Sequence, residues 1–354
     1  MDVAVVGAGV TGCSAAYRLA AAGLRVRVHE RRRVAEGASG RNGGFALTGG
    51  ATLYDVARDT YGVESARGLW RWTEQALERM WPLGGDALRR TGSYRLAVDE
   101  EEREQIRREY DALRADGFDA EWLDEVPGPR GHLFLGAVHH PRDATIQPAR
   151  FVRRLAALAA EAGAEFREHD EVGDVEELDA DRVLVATDGY GHGLVAELAD
   201  LIWPTRGQVI ATAPLGGLLF EKPHYARQGF DYWQQLENGR LVLGGFRDFS
   251  IMDELTDVEE TTETIQESLE RFAGELVGET PEITHRWAGI FGLTQDFLPL
   301  VGPVPGRDRV WVAGGYSGHG NIPGFACGEL VADALLGDTS SPLLALFDPA
   351  RFSD

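Results

Sequence analysis

The apolar positions of this chain fall into short runs near its two ends, with helical or alternating patterns between them. Val3–Val6 is an unbroken apolar run, as expected of a strand buried on both faces. Ala15, Ala16, Leu19 and Ala20 follow at helical spacing, and Gly23 closes that helix. "LRVRVHE" reads as a second strand with Glu30 at its tip. Further on, the pattern predicts helices over 69–90, 101–116, 148–162 and 253–277, with a strand at "GSYRLAV". Residues 202–250 alternate apolar and polar between turns, as an open sheet does. "RVLVAT" and Val310–Ala313 are further buried strands, and a helix is expected from about Phe325 to Leu336. No internal repeat or low-complexity linker interrupts this, so two domains built from interleaved segments are expected.

The first turn carries chemistry. Gly7, Gly9 and Gly12 stand in G-x-G-x-x-G spacing between strand and helix. Gly7 permits the sharp turn, Gly9 lets a pyrophosphate approach the backbone, and Gly12 allows close packing of helix on strand. Val10 and Thr11 open the helix, whose N-terminus offers free N–H groups and a positive dipole end to phosphates. Glu30 lies about twenty residues beyond Gly12, where an acid binds a ribose diol. These features predict a dinucleotide site but do not separate NAD from FAD. Arg31 to Arg33 read as a solvated basic cluster, with a 2′-phosphate as the alternative.

The next segment bears on that choice. "GASGRNGGF" at 37–45 is too loose for a helix interior and too glycine-rich for a strand. Its Ser39, Arg41, Asn42, Gly43 and Gly44 offer N–H groups and a guanidinium to a cofactor running past the pyrophosphate, with Phe45 beyond them. That suits an FAD extended toward a second domain. Near the other end, "VWVAGGYSGHGNIPGFACGELVADALL" repeats the logic of strand, glycine loop and helix. Gly315, Gly318 and Gly320 let the main chain approach a planar ligand. Ser317, His319 and Asn321 lie in the same loop. A helix N-terminus there would stabilise the negative charge of a reduced flavin.

Composition narrows the partners. The 354 residues are 44% hydrophobic, with a formal net charge of −22. Such a charge argues against nucleic acid or an anionic membrane surface as partner. Lys222 is the only lysine, on a Pro-flanked turn that suggests a surface role. Cys13 and Cys327 sit in apolar helical contexts, so neither a disulfide framework nor a metal site is expected. With a strand beginning at Asp2 and no stretch of membrane-spanning length, a cytoplasmic location is the expectation.

At these residues the sequence resembles the D-amino-acid oxidase superfamily of FAD-dependent oxidoreductases. It is most similar to the branch typified by γ-glutamylputrescine oxidase, with glycine and sarcosine oxidases as cousins. "VVGAGVTG", "GASGRNGG", "ATIQPARFVRRLAALAAEAGAEF", "DRVLVATDGY", "PTRGQV", "NGRLVLGG" and "WAGIFGLTQDFLPLVG" carry the resemblance in order along the chain. The fold implied is α/β: a Rossmann-type FAD-binding domain (1–90, 144–200 and 286–354) interleaved with an α+β substrate domain (91–143 and 201–285) carrying a mostly antiparallel sheet. The resemblance places the backbone of Val172 at the adenine, and Thr187 and Gly189 along the cofactor. It also implies that the short stretch "EVGDVEELDADR" is a trimmed hairpin.

The implied activity is oxidation of an amine C–N bond by hydride transfer to FAD, giving an imine that hydrolyses. Electrons then pass to oxygen, forming hydrogen peroxide, or to another acceptor. An amine must be neutral before its α-hydride leaves, and burial lowers its pKa. A dry aromatic pocket is therefore needed, with Phe45, Trp203, Tyr232, Trp233, Phe246, Phe291 and Tyr316 as candidates. His319, Tyr232 and Phe291 are the candidate catalytic residues, His319 either as hydrogen-bonding group or as proton carrier. Phe291 occupies the place where glycine and D-amino-acid oxidases hold a carboxylate-binding arginine, which favours an amine lacking that carboxylate. Arg227 and Arg247 remain candidates to bind one from the other domain. Gly289 stands where sarcosine oxidases have a flavin-linked cysteine, implying noncovalent FAD, and Val242 where they have an oxygen-activating lysine. Alternatives are an amino-acid oxidase of glycine or sarcosine type, an NAD(P)H-dependent flavin hydroxylase, and a flavin-holding protein without turnover.

Overall fold

In the computed structural model, which describes residues 1–128 and 130–352, the N-terminal apolar run lies at the centre of a six-stranded sheet. β1 (Val3–Val6) pairs in parallel with β2 (Val26–Glu30) on one side and β10 (Arg182–Val185) on the other. β9 (Glu165–Glu168) continues beyond β2, and β17 (Arg307–Gly314) beyond β10, both parallel. β16 (Leu300–Val304) closes that edge antiparallel to β17. Helices α1 (Val10–Ala21), α6 (Pro148–Glu161) and α8 (Asn321–Leu335) pack together over this sheet. Small residues allow the close fit: Gly328 of α8 rests on the Ser14 side chain of α1.

The second sheet has eight strands. Its order is β15 (Ile283–Leu293), β11 (Trp203–Pro214), β14 (Arg240–Gly245), β13 (Asp231–Gln235), β12 (His224–Ala226), β5 (Ser93–Ala97), β7 (Gly136–His140) and β6 (Glu121–Leu123). All its pairings are antiparallel except that of β12 with β5. Trp233, Leu241, Leu243 and Ile210 on one face form a core with Ile265, Leu269 and Leu276 of α7 (Glu263–Val277). A small third sheet joins β3 (Phe45–Ala46), β8 (Ala144–Ile146) and β4 (Leu88–Arg90). The fold is thus the expected mixture of parallel and antiparallel sheets in an α/β chain.

Several element boundaries differ from the sequence expectation, each for a local reason. The helix expected over 69–90 is α4 (Val63–Gly84); the Gly84–Gly85 pair ends it, with Gly85 at φ 54°, and the chain turns into β4. The charged helix expected from 253 begins only at Glu263, because Glu254 is pulled inward to Arg206 and Gln208 and 251–262 follow it as turns and loop. α8 starts four residues before the expected Phe325, since Pro323 is tolerated in a first helical turn. The 37–45 loop contains one helical turn, α2 (Ala38–Arg41). Residues 169–181 hold a single short turn rather than a hairpin. The domain boundary expected at 286 falls inside β15, which pairs along its length with β11. Cys13 and Cys327 are buried and unbonded to each other.

Candidate active site

The C-terminal ends of β1, β2 and β10 open onto a continuous cavity of about 1000 Å³ that runs on to the eight-stranded sheet. One end is lined by Glu30, Arg31, Val172, Tyr190 and Leu194, the middle by the glycine turns, and the other end by aromatic residues. Its volume stands at the top of the range for small-molecule sites.

Three loops meet in the middle. Gly7 takes φ 103°, and a Cβ on Gly12 would collide with its carbonyl oxygen, so the turn and helix can pack only as glycines. Ser39 Oγ accepts the Val10 N–H at 2.9 Å, capping α1 from the 37–45 loop. Asn42 and Asn321 exchange side-chain hydrogen bonds of 3.2 and 3.1 Å across 279 residues of sequence, and Asn321 Nδ2 also donates to the Phe45 carbonyl at 2.7 Å. Thr11 Oγ1 lies 2.7 Å from the Tyr316 hydroxyl. The two glycine-rich ends of the chain are therefore fastened to each other. Glu30 is fixed as well: its Oε2 accepts the Ala8 N–H at 2.9 Å and its Oε1 the Arg32 N–H at 2.8 Å.

Most of the residues read from sequence as cofactor-binding line this cavity: Gly7, Gly9, Val10, Thr11, Glu30, Arg31, Ser39, Arg41, Asn42, Gly43, Phe45, Val172, Thr187, Ser317, Gly318, His319, Gly320 and Asn321. Gly12, Gly44, Gly189 and Gly315 lie behind it. Gly44 packs on Gln234, and Gly189 on the Phe291 backbone. Gly315 N–H donates 2.7 Å to half-buried Asp188, which also accepts the Gly292 N–H at 2.8 Å and so ties the closing loop to β15. Burial pushes the Asp188 carboxyl up, while those N–H groups pull it down. Asp188 was missed from sequence although it stands between two chosen residues; its φ of 51° is visible only in the fold.

The far end is aromatic. Phe45, Tyr225, Phe230, Tyr232, Phe291 and Tyr316 line it, and the Phe45 and Tyr232 rings meet edge-on at 5.6 Å. Of the other candidates, Trp233 and Phe246 belong to the core under the second sheet, and Trp203 is largely exposed. His319 is half-buried, with Nε2 3.2 Å from the Tyr225 hydroxyl. Burial holds its pKa down at about 4, helped by the nearby positive charge of Arg95, so its ring is neutral at pH 7. Burial pushes the Tyr232 phenol up.

Arg95 and Arg247 bring guanidiniums to this end. Arg95, which sequence reasoning missed, sits 3.3 Å from Glu109 and over the Tyr225 ring at 5.4 Å. Arg247 lies over the rings of Phe230 (4.6 Å) and Phe291 (5.8 Å). Among the described residues, no carboxylate comes within ion-pairing distance of Arg247, whose pKa is lowered by burial. Arg227 by contrast is held by Asp248 and, at 3.4 Å, by Asp231. Lys222 points away, donating to the Thr91 carbonyl at 2.6 Å.

The family model "FAD dependent oxidoreductase" matches residues 2–334, so the chain belongs to that family of FAD-dependent flavoproteins. It is 30% identical to the "Probable oxidoreductase OrdL" of Rhizobium meliloti (strain 1021) over 96% of this chain and 84% of that protein. It is also 30% identical to the gamma-glutamylputrescine oxidoreductase of Escherichia coli (strain K12), over 95% and 84%. Among solved structures, glycine oxidase from Geobacillus kaustophilus superposes with a TM-score of 0.78 at 24% identity over 99% of this chain and 98% of that one. L-proline dehydrogenase from P. horikoshii gives 0.82 at 21% identity over 99% and 97%.

The residues present fit FAD. The cavity runs through both glycine loops. A Cβ on Gly9 would come within 2.9 Å of Ser39 Oγ, the atom that accepts the Val10 N–H, so a side chain there would disturb the α1 cap. Thr187 Oγ1 and His319 Nδ1 are buried on its wall without a hydrogen-bond partner among the described residues, as expected where a ligand completes the set. No helix of the described residues is long and apolar enough to cross a membrane.

Proposed function

We propose that the protein oxidises the C–N bond of an amine that also carries a carboxylate, with FAD held noncovalently as the electron acceptor. Arg247 carries this reading. A half-buried guanidinium that forms no ion pair carries an uncompensated desolvation cost, and an anionic ligand removes that cost. Phe291 fills the position where the resemblance puts an arginine in amino-acid oxidases, and Arg247 lies beside its ring. In this reading the cation is supplied from beyond the end of β14 by Arg247, one of the two arginines the sequence left open as carboxylate binders, and not from the Phe291 position.

The rest of the chemistry follows from the wall. Phe45, Tyr225, Phe230, Tyr232 and Phe291 exclude water, which disfavours the ammonium form of a bound amine and frees its lone pair. Bound FAD supplies the acceptor for the hydride leaving the carbon next to nitrogen. Neutral His319 can hold the Tyr225 phenol proton at Nε2, so this pair orients the wall without bringing a second cation. The imine product hydrolyses in water. Electrons leave to oxygen or to another small acceptor; Val242 packs with Val209 and Ala211 and brings no cation for oxygen.

This reading takes 1–90, 144–200 and 294–354 as the FAD-binding domain and 91–143 with 201–293 as the substrate domain, in a cytoplasmic protein. The supporting experiment is anaerobic mixing of the yellow protein with a panel of amines and amino acids. Loss of the flavin absorbance with carboxylate-bearing amines is expected. Bleaching by NADPH alone, or by no amine, would sink the proposal.

A further inference from the structure

We infer that Glu259 is a cofactor-retaining residue: carried on the loop between β14 and α7, it gathers Arg31, Arg32, Arg41 and Tyr190 over the adenosine and pyrophosphate half of the FAD cleft. Its backbone is held on both sides. Arg206 of β11 donates its N–H to the Glu254 carbonyl at 2.7 Å, and its guanidinium pairs with the Glu254 carboxylate at 2.8 Å; both side chains are buried. Arg206 Nη1 also reaches the Val258 carbonyl at 3.3 Å, and Thr262 N–H donates to Gln208 Oε1 at 2.9 Å. Glu259 therefore stands between two anchored neighbours.

Its carboxylate receives both Arg32 Nη groups, Nη1 at 2.8 Å, together with Arg41 Nη1, Arg31 Nη2 at 3.4 Å and the Tyr190 hydroxyl. The Arg31 guanidinium lies over the Tyr190 ring at 4.2 Å. Arg31, Arg32, Arg41 and Tyr190 all line the cavity beside Glu30. Three guanidiniums against one carboxylate leave two positive charges there, the complement of a pyrophosphate dianion. Without Glu259 these long side chains would spread into solvent and lose rotamer order. The cluster thus joins the two sheets across the cofactor, and it also accounts for the basic run after Glu30.

The test is the FAD dissociation rate of the holoprotein, read from the rise in flavin fluorescence on dilution, for wild type, E259A and E259Q at low and high salt. Losing one charge-assisted cluster should speed release about ten-fold in E259A, with E259Q between. Salt should accelerate release from wild type and leave E259A nearly unchanged. A merely structural role would lower the melting temperature without changing release. Should E259A fail to fold, E259Q carries the test alone. Release within two-fold of wild type from a folded E259Q or E259A would overturn the inference.

Discussion

The two ends of the cavity use arginine in opposite ways. At the adenosine end Arg31, Arg32 and Arg41 share Glu259, and Glu30 is occupied by backbone N–H groups, so each charged group is held in place by a partner within the protein. At the aromatic end Arg95 has Glu109, but Arg247 lies against the Phe230 and Phe291 rings and forms no ion pair among the described residues. A cofactor that stays bound is served by charges fixed in place. A substrate that comes and goes needs one whose partner is the substrate itself.

The contrast can be broken most severely at the glycine turn, which serves the settled end alone. Gly12→Val would drive a side chain into the Gly7 carbonyl, and FAD content should fall at least ten-fold, as counted by absorbance per chain. Next comes the paired against the unpaired cation. R95M leaves Glu109 buried without its partner and should cost about 3 kcal/mol, seen in urea unfolding. R247M removes a half-buried charge that forms no ion pair and should leave stability unchanged or raised. Equal losses from both would erase the distinction. Y225F removes the hydroxyl beside His319 and should lower turnover only a few-fold, about the worth of one neutral hydrogen bond.

The smallest effect concerns pH. Burial holds His319 and His224 down at about 4 and His140 at about 3. Below about pH 6.5 the unfolded chain takes up protons at these rings while the folded chain does not, so stability must fall as pH drops toward 4. Melting temperature should therefore decline from pH 7 to pH 5, and less steeply in H319N. An unchanged slope in H319N would mean that its ring is not buried neutral.

How much of this could be read from the chain alone depended on how local each signal is. The N-terminal turn and the closing loop are contiguous, and each glycine answers a steric demand within a few residues, so both were legible. Glu254 and Glu259 looked like one charged helical stretch, because nothing local marks their partners Arg206, Arg32 and Arg41, about 48 to 227 residues away. Arg95 was one of many arginines until β5 carried it to the cavity. Arg247 stayed ambiguous because sequence does not show which carboxylates its neighbours consume; Asp248 looks like its natural partner but belongs to Arg227. Trp233 and Phe246 were plausible pocket walls by residue type; the register of β13 turns Trp233 to the core, and Phe246, just past β14 at φ 61°, joins the same core.

The central claim is that Arg247 waits for the substrate's carboxylate. It is tested most directly by comparing two amines that differ only in that carboxylate, on wild type and on R247M, through kcat/KM for flavin reduction. Wild type should prefer the acid by about a hundred-fold or more, and R247M should lose that preference while oxidising the plain amine as well as before. If R247M keeps the preference, or if wild type never had one, the claim is wrong.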